Sequence, residues 1–600
     1  METKILKKLA KLVRYYILTS TTKAGSGHPT SSLSAVELTV TLLFGGFFDK
    51  DRLIFSKGHA SPLFYALYAA AGLISEEELM TLRRFGSPLE GHPSMEFPYT
   101  EVPTGSLGQG LSAGVGMALN NKYLDKVNYK TYVLLGDSEM AEGSVWEAIQ
   151  IASFYKLDNL VGILDVNRLG QSRQTMLGYD VVTFQKRIAS FGWETIVVKN
   201  GHNLNEIIRA YQKAAKLKGK PIMIIAKTVK GKGVSFLENK EGWHGKALSP
   251  EDLEKALLEL GRVDKNLRGK ISLPAKIQSS KYKVKSIKQT NYAKGEMIAT
   301  RKAYGNALVR IFPRHPNMVV MDGETSNSTY SEIFAKAYPK NYFEMFIAEQ
   351  NMVGAALGLS ILGKIPFIST FAAFFTRAFD QARMAQYARA NIKFCGSHAG
   401  VSIGEDGPSQ MGLEDLAMFR TLAGSVVLYP SDAVSAEKLV EEAAKYYGLV
   451  YLRTTRKEAP VIYSAQENFP IGGCKIVKQS GKDAVTIVAA GVTLHEALEA
   501  YEILKKSNIF VRVIDLYSIK PLDLATLKKA AKETKFIITV EDHHPEGGLG
   551  EAVAAALTGV PVTSLAVRKI PTSGKPQELL DYEDISRDAI VRKVHESILR

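Results

Sequence analysis

Histidines that adjoin glycine are the most informative residues in the first half of this 600-residue chain. Several of the eleven histidines stand beside a glycine, among them His28, His59, His92 and His244. Because glycine permits tight turns, we expect these imidazoles to lie in loops and not within helices. Their spacing matches no zinc-binding pattern. One such histidine is typical of a structural role, but four in one segment favour a shared polar site.

A second candidate site follows two predicted strands. Asp137 ends the apolar run TYVLLGD (131–137), and Asn167 ends NLVGILDVN (159–167). Parallel strands bring their carboxyl ends to one edge of a sheet, so these oxygen-bearing side chains should converge there. Together with a loop carbonyl, phosphate oxygens and water, they would suit octahedral Mg²⁺. On spacing alone, a helix cap at Asp137 and a turn at Asn167 explain the pattern about equally well.

Three further segments have the composition of functional loops. The segment GSLGQG (105–110) precedes a small-residue helix and could place backbone N–H groups against an anion, although a plain tight turn fits as well. Glu349 follows an apolar run, so it is either a desolvated carboxyl with a raised pKa or an ordinary helix-start glutamate. The segment GSHAGVSIGEDGPSQ (396–410) is polar and rich in glycine.

Aromatic residues accumulate in one stretch of the second half. Phe371, Phe374 and Phe375 lie in STFAAFFTRAF (369–379). Their default interpretation is a hydrophobic core, and the alternative is a flat apolar wall for a ring-shaped ligand.

The elements that must position these residues alternate between apolar strands and helical patterns. A βαβ unit is predicted from the strand at 131–137, the helix SVWEAIQIASFYK (144–156) and the strand at 159–167. Further strands are predicted at PIMIIAKT (221–228), NMVVMDG (317–323), KIPFIST (364–370), LVYLRTT (449–455), AVTIVAAG (484–491), IFVRVIDL (509–516) and FIITVED (536–542). This alternation predicts an α/β fold of three consecutive domains with mostly parallel sheets.

Composition excludes several classes of protein. With 46% hydrophobic and 23% charged residues, the chain is not disordered, collagen-like or of low complexity. Two cysteines, Cys395 and Cys474, cannot build a disulfide framework, so we expect a reducing compartment and a cytoplasmic protein. We expect no membrane span, because no apolar run is long enough. The basic, amphipathic N-terminus predicts a surface helix and not a signal peptide.

The formal net charge of +15 suggests an anionic partner. Much of it comes from one segment, because residues 262–294 hold ten Lys or Arg and a single acid, Asp264. This segment lacks a clear hydrophobic period and is predicted to be an exposed linker. The charge therefore gives no support for nucleic-acid binding, since no base-reading or stacking motif accompanies it.

Motifs along nearly the whole chain resemble those of the transketolase family, in particular its shorter, animal-like branch. They include SGHPTS, SKGHA, GSLGQG, GDSEMAEGSVWEA, DVNRLGQS, ATRKAYG, GETSNSTYSE, IAEQNMV, STFAAFFTRAFDQ, GSHAGVSIGEDGPSQM, YLRTTR and VEDHHPEGGLGEAV. The resemblance implies two thiamine-diphosphate-binding folds and a C-terminal α/β domain. The implied bounds are 1–261 for the diphosphate and metal domain, 262–295 for the linker, 296–465 for the aminopyrimidine domain and 472–600 for the C-terminal domain.

The resemblance also implies the cofactors and their contacts. Thiamine diphosphate would be bound with Mg²⁺, for which Ca²⁺ or Mn²⁺ could substitute. The implied metal ligands are Asp137, Asn167 and the carbonyl of Leu169. The implied cofactor contacts are His59, Gly105, Ser106, Leu107, Ser138, Glu142, Asn167, Lys230, His244, Glu349, Phe374 and Gln410. Glu349 would act on N1′ of the aminopyrimidine, and the cofactor would carry out the carbanion chemistry.

The implied reaction is the reversible transfer of a two-carbon ketol unit, held on the cofactor as an enamine. The donor is a ketose phosphate such as xylulose 5-phosphate, and the acceptor is an aldose phosphate such as ribose 5-phosphate, in the non-oxidative pentose phosphate pathway. Besides Glu349, the implied catalytic residues are His28, His92 and His244. The implied substrate contacts are His28, Ser31, His59, Lys246, Arg301, Ser328, His398, Asp406 and Arg456. A homodimer with active sites at the subunit interface is implied as well.

One position departs from the family pattern. The cofactor motif usually reads Gly-Asp-Gly, but here Ser138 follows Asp137. A serine would be strained if this position requires a positive φ, and it would serve if only the backbone N–H matters. Alternative assignments are a dihydroxyacetone synthase, a deoxyxylulose-phosphate synthase and a catalytically silent paralogue. The last is disfavoured because Glu349, Asp137 and Asn167 are all present.

Overall fold

The computed structural model describes residues 2–274 and 291–599, which fall into two compact units. The first unit contains the described residues up to 274 together with Val353–Leu362. The second contains the described residues from 291 to Met352 and from Gly363 onward.

The first unit is built on a five-stranded, wholly parallel sheet of order β1-β2-β3-β5-β4. Every residue of its two central strands β2 and β3 is buried, as expected for a parallel sheet covered by helices on both faces. The strands are β1 (Arg52–Phe55), β2 (Thr131–Gly136), β3 (Leu160–Val166), β4 (Glu194–Val198) and β5 (Ile222–Lys227).

Ten α-helices accompany this sheet among the described residues. They are α1 (Thr3–Ala24), α2 (Pro29–Leu33), α3 (Val36–Phe44), α4 (Ser61–Ala70), α5 (Glu76–Leu79), α6 (Gly110–Leu119), α7 (Gly143–Phe154), α8 (Val181–Ser190), α9 (Leu204–Lys216) and α10 (Pro250–Leu260). The predicted N-terminal helix is present as α1. Four of its five lysines are exposed, whereas Leu6, Leu9 and Val13 are fully buried, so one face of this helix belongs to the core.

The second unit contains three sheets. A seven-stranded sheet has the order β17-β11-β12-β10-β9-β7-β8, a five-stranded sheet has the order β14-β16-β15-β18-β19, and β13 pairs with β6. The strands are β6 (Met297–Ala299), β7 (Met318–Asp322), β8 (Tyr342–Glu344), β9 (Ile365–Phe371), β10 (Lys393–Ser397), β11 (Val426–Leu428), β12 (Val450–Arg453), β13 (Glu458–Pro460), β14 (Lys475–Lys478), β15 (Val485–Ala489), β16 (Val511–Asp515), β17 (Ser518–Lys520), β18 (Phe536–Val540) and β19 (Val562–Leu565).

Twelve α-helices follow α10 in the described part of the chain, and the two units share one of them, α14. They are α11 (Thr300–Ile311), α12 (Ser326–Thr329), α13 (Glu332–Ala337), α14 (Glu349–Ile361), α15 (Phe379–Tyr387), α16 (Asp415–Thr421), α17 (Ala433–Lys445), α18 (Val492–Lys506), α19 (Leu524–Glu533), α20 (Leu549–Ala556), α21 (Pro576–Tyr582) and α22 (Arg587–Leu599).

The predicted α/β class with mostly parallel sheets is confirmed, and each strand predicted from an apolar run is present. Three pairs of strands in the second unit are antiparallel, namely β13 with β6 and, at the edges of the two larger sheets, β14 with β16 and β17 with β11. Strand β17 follows β16 in the chain yet extends the sheet whose other strands lie between Met318 and Arg453. No sequence pattern predicted that β17 would pair with this sheet.

The predicted linker lies partly outside the described residues, at 275–290. Its first part contacts the first unit, since Gly269 N donates to Ala70 O at 2.9 Å and Lys265 pairs with Glu76 at 2.8 Å. Cys395 and Cys474 are both free. Across 2–274 and 291–599, no helix is long and apolar enough to cross a bilayer.

Candidate active site

The four candidate histidines form one cluster in the first unit, whereas His202, which also follows a glycine, pairs with Glu37. The ring centroids of His28 lie 5.3 Å from His59, 5.1 Å from His244 and 6.3 Å from His92. Each comes from a loop or a short 3₁₀ turn between longer elements, because glycine lets the chain turn sharply beside it. Chain segments that are far apart in sequence therefore present their imidazoles to a common space.

Burial keeps these imidazoles neutral at physiological pH. Desolvation, reinforced by the neighbouring His244, lowers the pKa of His28 to about 3. Desolvation and the charge of Lys230 lower the pKa of His244 to about 4. The pKa values of His59 and His92 are lowered by the same burial. Neutral imidazoles can both donate and accept a hydrogen bond, which suits them to contact hydroxyl groups.

Lys230 places a positive charge beside the histidines. Its Nζ donates to the carbonyls of Leu169 at 2.8 Å and Gly170 at 3.1 Å, and it lies 2.7 Å from Nδ1 of His244. All three partners are neutral groups, so no carboxylate cancels the charge at contact distance. Desolvation and the charge of Lys57 lower the pKa of Lys230 to about 7. An anion in this space would favour the charged ammonium form.

The predicted metal ligands lie at the carboxyl edge of the first sheet. Asp137 follows β2, and its carboxylate accepts from the backbone N–H of Ser138 at 2.9 Å and of Arg168 at 2.7 Å. Asn167 follows β3, and its Oδ1 accepts from Leu169 N at 3.2 Å. Helix α7 has no side-chain cap, so Asp137 does not cap it. The edge thus holds a carboxylate, an amide oxygen and the Leu169 carbonyl.

This donor set fits a hard divalent cation. All three candidate ligands are oxygens, which Mg²⁺ and Ca²⁺ prefer. Burial and the nearby Asp165 raise the pKa of Asp137 to about 6, a repulsion that a bound cation would relieve. In the described part of the chain, no three His, Cys, Asp or Glu side chains converge as metal ligands, so amide and carbonyl oxygens would have to take part.

A buried ion pair contacts one of these candidate metal ligands. Lys57 Nζ lies 2.5 Å from Asp165 Oδ2, and both side chains are almost inaccessible. The same carboxylate oxygen accepts from Ser34 Oγ at 2.7 Å and from Asn167 Nδ2 at 3.3 Å. The pair therefore orients the Asn167 amide. Sequence reasoning missed it, although Lys57 lies within SKGHA and Asp165 within DVNRLGQS.

Ser138 fits its position without strain. Its backbone has φ −63° and ψ −37°, which any L-residue adopts, so glycine is not required there. Its N–H donates to the Asp137 carboxylate. The departure from the family motif thus leaves the local backbone intact.

The segment at 105–108 forms a close-fitting turn beside the histidines. Gly105 has φ +134°, and a Cβ added there would lie 3.0 Å from the ring of His92. Glu139, which is 2% exposed, accepts from Gly108 N at 2.8 Å and Gly136 N at 3.0 Å and also bonds Ser56. This carboxylate ties the turn to the end of β2. No sequence pattern distinguished Glu139 from its neighbours.

These groups enclose one cavity of about 280 Å³. The predicted residues that line it are His28, Ser31, His59, His92, Gly105, Leu107, Asp137, Ser138, Asn167, Leu169, Lys230 and His244. Ser106, Glu142 and Lys246 were predicted to contribute and do not line it. Lys246 is exposed, and its ammonium lies over the ring of Trp243.

The cavity fits a phosphorylated cofactor. His28 Nδ1 and Ser31 Oγ are buried without a hydrogen-bond partner, which is costly unless a ligand supplies one. A side chain at Gly105 would fill part of the space. Lys230 supplies positive charge at the same place.

The second unit places Glu349 at the first turn of α14. This carboxylate is 3% exposed, as expected for a group after an apolar run, and it also stands at a helix start. Its Oε1 accepts from Arg377 Nη1 at 2.8 Å. The guanidinium of Arg377 also lies 5.1 Å above the ring centroid of Phe374. Sequence reasoning did not anticipate Arg377.

The three phenylalanines divide between the two predicted roles. Phe375 is 1% exposed and packs edge-on against Phe394 and Phe419, so it belongs to the core. Phe371 and Phe374 remain partly exposed and stack nearly parallel at 5.4 Å. These two rings form the flat apolar surface that a ring-shaped ligand would require.

His398 is buried between an aromatic ring and two arginines. Its ring stacks on Phe371 at 3.8 Å, and its Nδ1 lies 2.7 Å from Ser397 Oγ. Desolvation, together with the charges of Arg301 and Arg456, lowers the pKa of His398 to about 3. It is therefore a neutral hydrogen-bonding group beside two cations.

Arg301 and Ser328 are joined by a backbone contact. Arg301 Nη1 donates to the carbonyl of Ser328 at 2.7 Å, and its Nε is buried without a partner. The Ser328 segment is held by Asp322, which accepts from Thr329 Oγ1 at 2.6 Å. Burial raises the pKa of Asp322 to about 7. Asp322 was not predicted as a site residue.

Arg456 and Asp406 contact each other. Arg456 Nη1 lies 2.9 Å from Asp406 Oδ2, and both side chains are about two-fifths exposed. The same guanidinium donates to Ile403 O at 3.0 Å. Gln410 lies in the same segment, and its Nε2 donates to Ser409 Oγ at 3.4 Å. Two residues predicted to bind separate parts of the substrate therefore pair with each other here.

Profiles of three protein domains match the chain. They are described as the thiamine diphosphate binding domain of transketolase (residues 5–310), its pyrimidine binding domain (296–461) and its C-terminal domain (472–590). The first description supports thiamine diphosphate as the cofactor.

Similarity extends over the full chain. Transketolase of Homo sapiens is 49% identical over 98% of this chain and 97% of its own length. Transketolase-like protein 2 of Mus musculus is 48% identical, over 99% and 98% respectively. These relatives support a transketolase and neither of the two alternative enzymes.

Solved structures show the same fold. A crystal structure of transketolase from Campylobacter jejuni superposes with a TM-score of 0.86 at 24% identity, covering 99% of this chain and all of that one. A Pichia stipitis transketolase in complex with sedoheptulose 7-phosphate has a TM-score of 0.86 at 22% identity, covering 100% and 98%. From the three profiles and the identity over nearly its full length, the chain belongs to the transketolase family of transferases.

Proposed function

We propose that this chain transfers a two-carbon ketol unit from xylulose 5-phosphate to ribose 5-phosphate, using thiamine diphosphate and Mg²⁺. The observation that carries the proposal is the cavity of the first unit. There, neutral histidines, an ammonium without a carboxylate partner and an all-oxygen donor set converge. Pichia stipitis transketolases have been crystallised with sugar phosphates, which supports the substrate class.

Residues of the first unit would bind the diphosphate and the metal. Asp137, Asn167 and the carbonyl of Leu169 would hold Mg²⁺, or Ca²⁺ or Mn²⁺ in its place. Lys230, His59 and the turn at Gly105 would contact the diphosphate. Burial of this cavity would strengthen each of these charge interactions relative to water. Ser106 and Glu142 remain proposed as cofactor contacts and Lys246 as a substrate contact, although they do not line the cavity.

The second unit would supply the groups that face the aminopyrimidine. Phe374 would lie against the ring, Gln410 would contact it, and the Glu349 carboxylate would hold a proton at N1′. Arg377 would have to share or release Glu349 for that contact. When bound, thiamine diphosphate supplies a carbanion that accepts the ketol unit.

Neutral imidazoles would handle the protons of the substrate. His28, His92 and His244 would donate to and accept from the carbonyl and hydroxyl oxygens of the sugar, and His59 and Ser31 would orient it. Asp406 would contact the hydroxyl at C2 of the donor.

Cations of the second unit would bind the terminal phosphate of the sugar. Arg301 and Arg456 offer planar guanidinium groups suited to bidentate contact, and Ser328 and His398 would add neutral donors. The exposed contact between Arg456 and Asp406 contributes at most about 1 kcal/mol, so a phosphate could displace it at little cost.

We also propose the assembly, domain bounds and location of the protein. A homodimer with its active sites at the subunit interface, in the cytoplasm, is the form expected from the family. The bounds 1–261, 296–465 and 472–600 are proposed for the three domains, with the linker at 262–295. The three profile matches support this division.

One assay tests the proposed reaction. Purified protein with thiamine diphosphate and Mg²⁺ should convert xylulose 5-phosphate and ribose 5-phosphate into sedoheptulose 7-phosphate and glyceraldehyde 3-phosphate, followed by mass spectrometry. Chelation should abolish turnover and added Mg²⁺ should restore it. An Asp137→Ala variant should lose the rise in melting temperature that Mg²⁺ and cofactor give the parent protein, whereas the surface variant Asp158→Ala should keep it. A folded, cofactor-loaded dimer without turnover would overturn the proposal.

A further inference from the structure

Arg453 lies at the centre of a fully buried ion network in the second unit. It is on β12 and has no exposed surface. Its Nε donates to Asp415 Oδ2 at 2.8 Å, and its Nη1 donates to Asp542 Oδ1 at 2.7 Å. Its Nη2 donates to the backbone carbonyl of Gly412 at 2.9 Å. One side chain thus joins residues 412–453 to Asp542, which lies 89 residues further along the chain than Arg453.

Asp542 occupies a space that another segment leaves open for it. Gly400 has φ +75°, and a Cβ added there would lie 1.9 Å from Asp542 Oδ2. Tyr429 Oη donates to the same carboxylate at 3.0 Å. The carboxylate is therefore enclosed by Arg453, Tyr429 and the backbone of Gly400.

The segment against which Asp542 packs is the one that carries the substrate-facing groups. Gly400 N donates to Gly412 O at 2.9 Å, the carbonyl that also accepts from Arg453. This contact closes residues 398–412 into a loop, which we call the His398 loop. His398 is two residues before Gly400 and has φ 58°, a backbone conformation that depends on its surroundings.

Stability alone is a weak explanation for this network. Burying three charges requires their desolvation, and apolar side chains of similar volume often fill such a space equally well. The geometry favours a role in positioning the backbone. Two of the acceptors of Arg453 are the side-chain carboxylate of Asp542 and the carbonyl of Gly412, at the end of the His398 loop.

We propose that Asp542, acting through Arg453, is a positioning residue that holds the His398 loop in place for binding the substrate phosphate. The inference rests on the proposed function of His398 and gives residues 472–600 a part in substrate binding. Asp542 does not touch the substrate and is not a catalytic residue. Its loss would displace His398 relative to Arg301 and Arg456, and small displacements of binding groups have large effects on affinity.

Steady-state kinetics provide the first test. Asp542→Ala should raise KM for xylulose 5-phosphate about tenfold and change KM for unphosphorylated xylulose by less than about twofold. Asp542→Asn keeps an acceptor for Arg453 without its charge and should show an intermediate effect, a rise of about two- to threefold in KM for xylulose 5-phosphate relative to that for xylulose. The matched control is Glu437→Ala, which breaks another buried pair of the second unit, with Arg310 at 2.6 Å, away from the His398 loop. This control should lower the melting temperature without changing the ratio of the two KM values.

Hydrogen exchange provides a second test that does not require turnover. Peptides covering 398–412 should exchange faster in Asp542→Ala than in the parent, and Glu437→Ala should leave them unchanged. Unchanged exchange, or equal KM ratios in the Asp542 and Glu437 variants, would overturn the inference. If Asp542→Ala fails to fold, the same measurements are made on Asp542→Asn. Exchange that is about twofold faster than in the parent, or a KM for xylulose 5-phosphate that rises about twofold relative to that for xylulose, then supports the inference, and smaller changes overturn it. An inactive parent protein would overturn the proposed function, while exchange would still decide the role of Asp542.

Discussion

The cavity of the first unit and the candidate site of the second unit differ in what surrounds their cations. In the first, Lys230 donates to the carbonyls of Leu169 and Gly170 and lies against the imidazole of His244. In the second, Arg377 pairs with Glu349, and Arg456 pairs with Asp406. No carboxylate therefore contacts Lys230 in the first site, whereas Arg377 and Arg456 of the second site each contact one.

This difference indicates how each site would meet its ligand. A cation held by neutral dipoles is already arranged for an anion, so little must change when a diphosphate binds. A cation paired with a carboxylate has to exchange partners, and exposed pairs exchange at a cost of about 1 kcal/mol or less. We therefore expect tight, permanent binding at the first site and reversible, substrate-dependent binding at the second.

The largest effect is expected from removing the buried acid of the second site. Glu349→Gln should lower kcat at least about 100-fold, because the amide cannot hold a proton at N1′ as a carboxylate does. Stopped-flow or steady-state kinetics at saturating cofactor would measure it. Glu332→Gln, an exposed acid of the same unit paired with Lys336, is the control and should keep full activity. A wild-type kcat in Glu349→Gln would contradict the proposed role of the Glu349 carboxylate at N1′.

A smaller effect is expected from removing the cation of the first site. Lys230→Met keeps most of the side-chain volume and should weaken thiamine diphosphate binding about 10- to 100-fold, since charge-assisted bonds to the diphosphate are lost. Isothermal calorimetry with Mg²⁺ present would determine Kd. Lys220→Met removes an exposed charge of the same unit and should bind normally. Equal Kd values in the two variants would contradict the contrast between the sites.

Loss of a phosphate-binding cation in the second site should act on KM. Arg456→Ala should raise KM for xylulose 5-phosphate about tenfold and leave KM for unphosphorylated xylulose nearly unchanged. Arg383→Ala is a matched control, because Arg383 forms a similarly exposed pair with Asp380. A parallel rise for both substrates would show that Arg456 does not recognise the phosphate.

The smallest effect concerns acid stability, which both sites should share. Burial lowers the pKa of His398 to about 3 in the folded protein, while the unfolded value is near 6.5. The unfolded chain therefore binds the proton more readily than the folded protein does. The part of the free energy of unfolding that depends on neutral His398 is complete above pH 6.5 and is lost as the pH falls toward 3. At pH 5 the loss is at most about 2 kcal/mol.

Thermal melts between pH 7 and pH 5 would measure this loss. His398→Asn and His28→Asn should each lose less stability on acidification than the parent protein does. His595→Asn, which removes an exposed histidine, should behave like the parent. If all three variants melt like the parent at every pH, burial does not hold these imidazoles neutral.

Sequence patterns predicted the scaffold of the protein well. The apolar runs that end at Asp137 and Asn167 became neighbouring parallel strands, because continuous apolar residues must be buried on both faces of a sheet. The four histidines were found because glycine beside a polar side chain is a local signal, readable without any knowledge of distant contacts. Glu349 was found for a similar reason, from the apolar run before it.

Other residues had no local signal. Glu139 and Asp165 are ordinary acids in sequence, and only folding places them under backbone amides and beside Lys57. Arg377 and Arg453 acquired their partners in the same way. Strand β17 pairs with β11 at the edge of the seven-stranded sheet, because pairing at a sheet edge is decided by neighbours in space.

By itself, the sequence determined the α/β class and the family and indicated the candidate loops, because periodicity, glycine and motif order act over short stretches of chain. Only the tertiary structure decided which cations are compensated and which imidazoles are neutral. It also showed that Ser138 is unstrained and that Asp542 reaches the His398 loop. These properties depend on burial and on contacts between distant segments, and both exist only once the chain is folded.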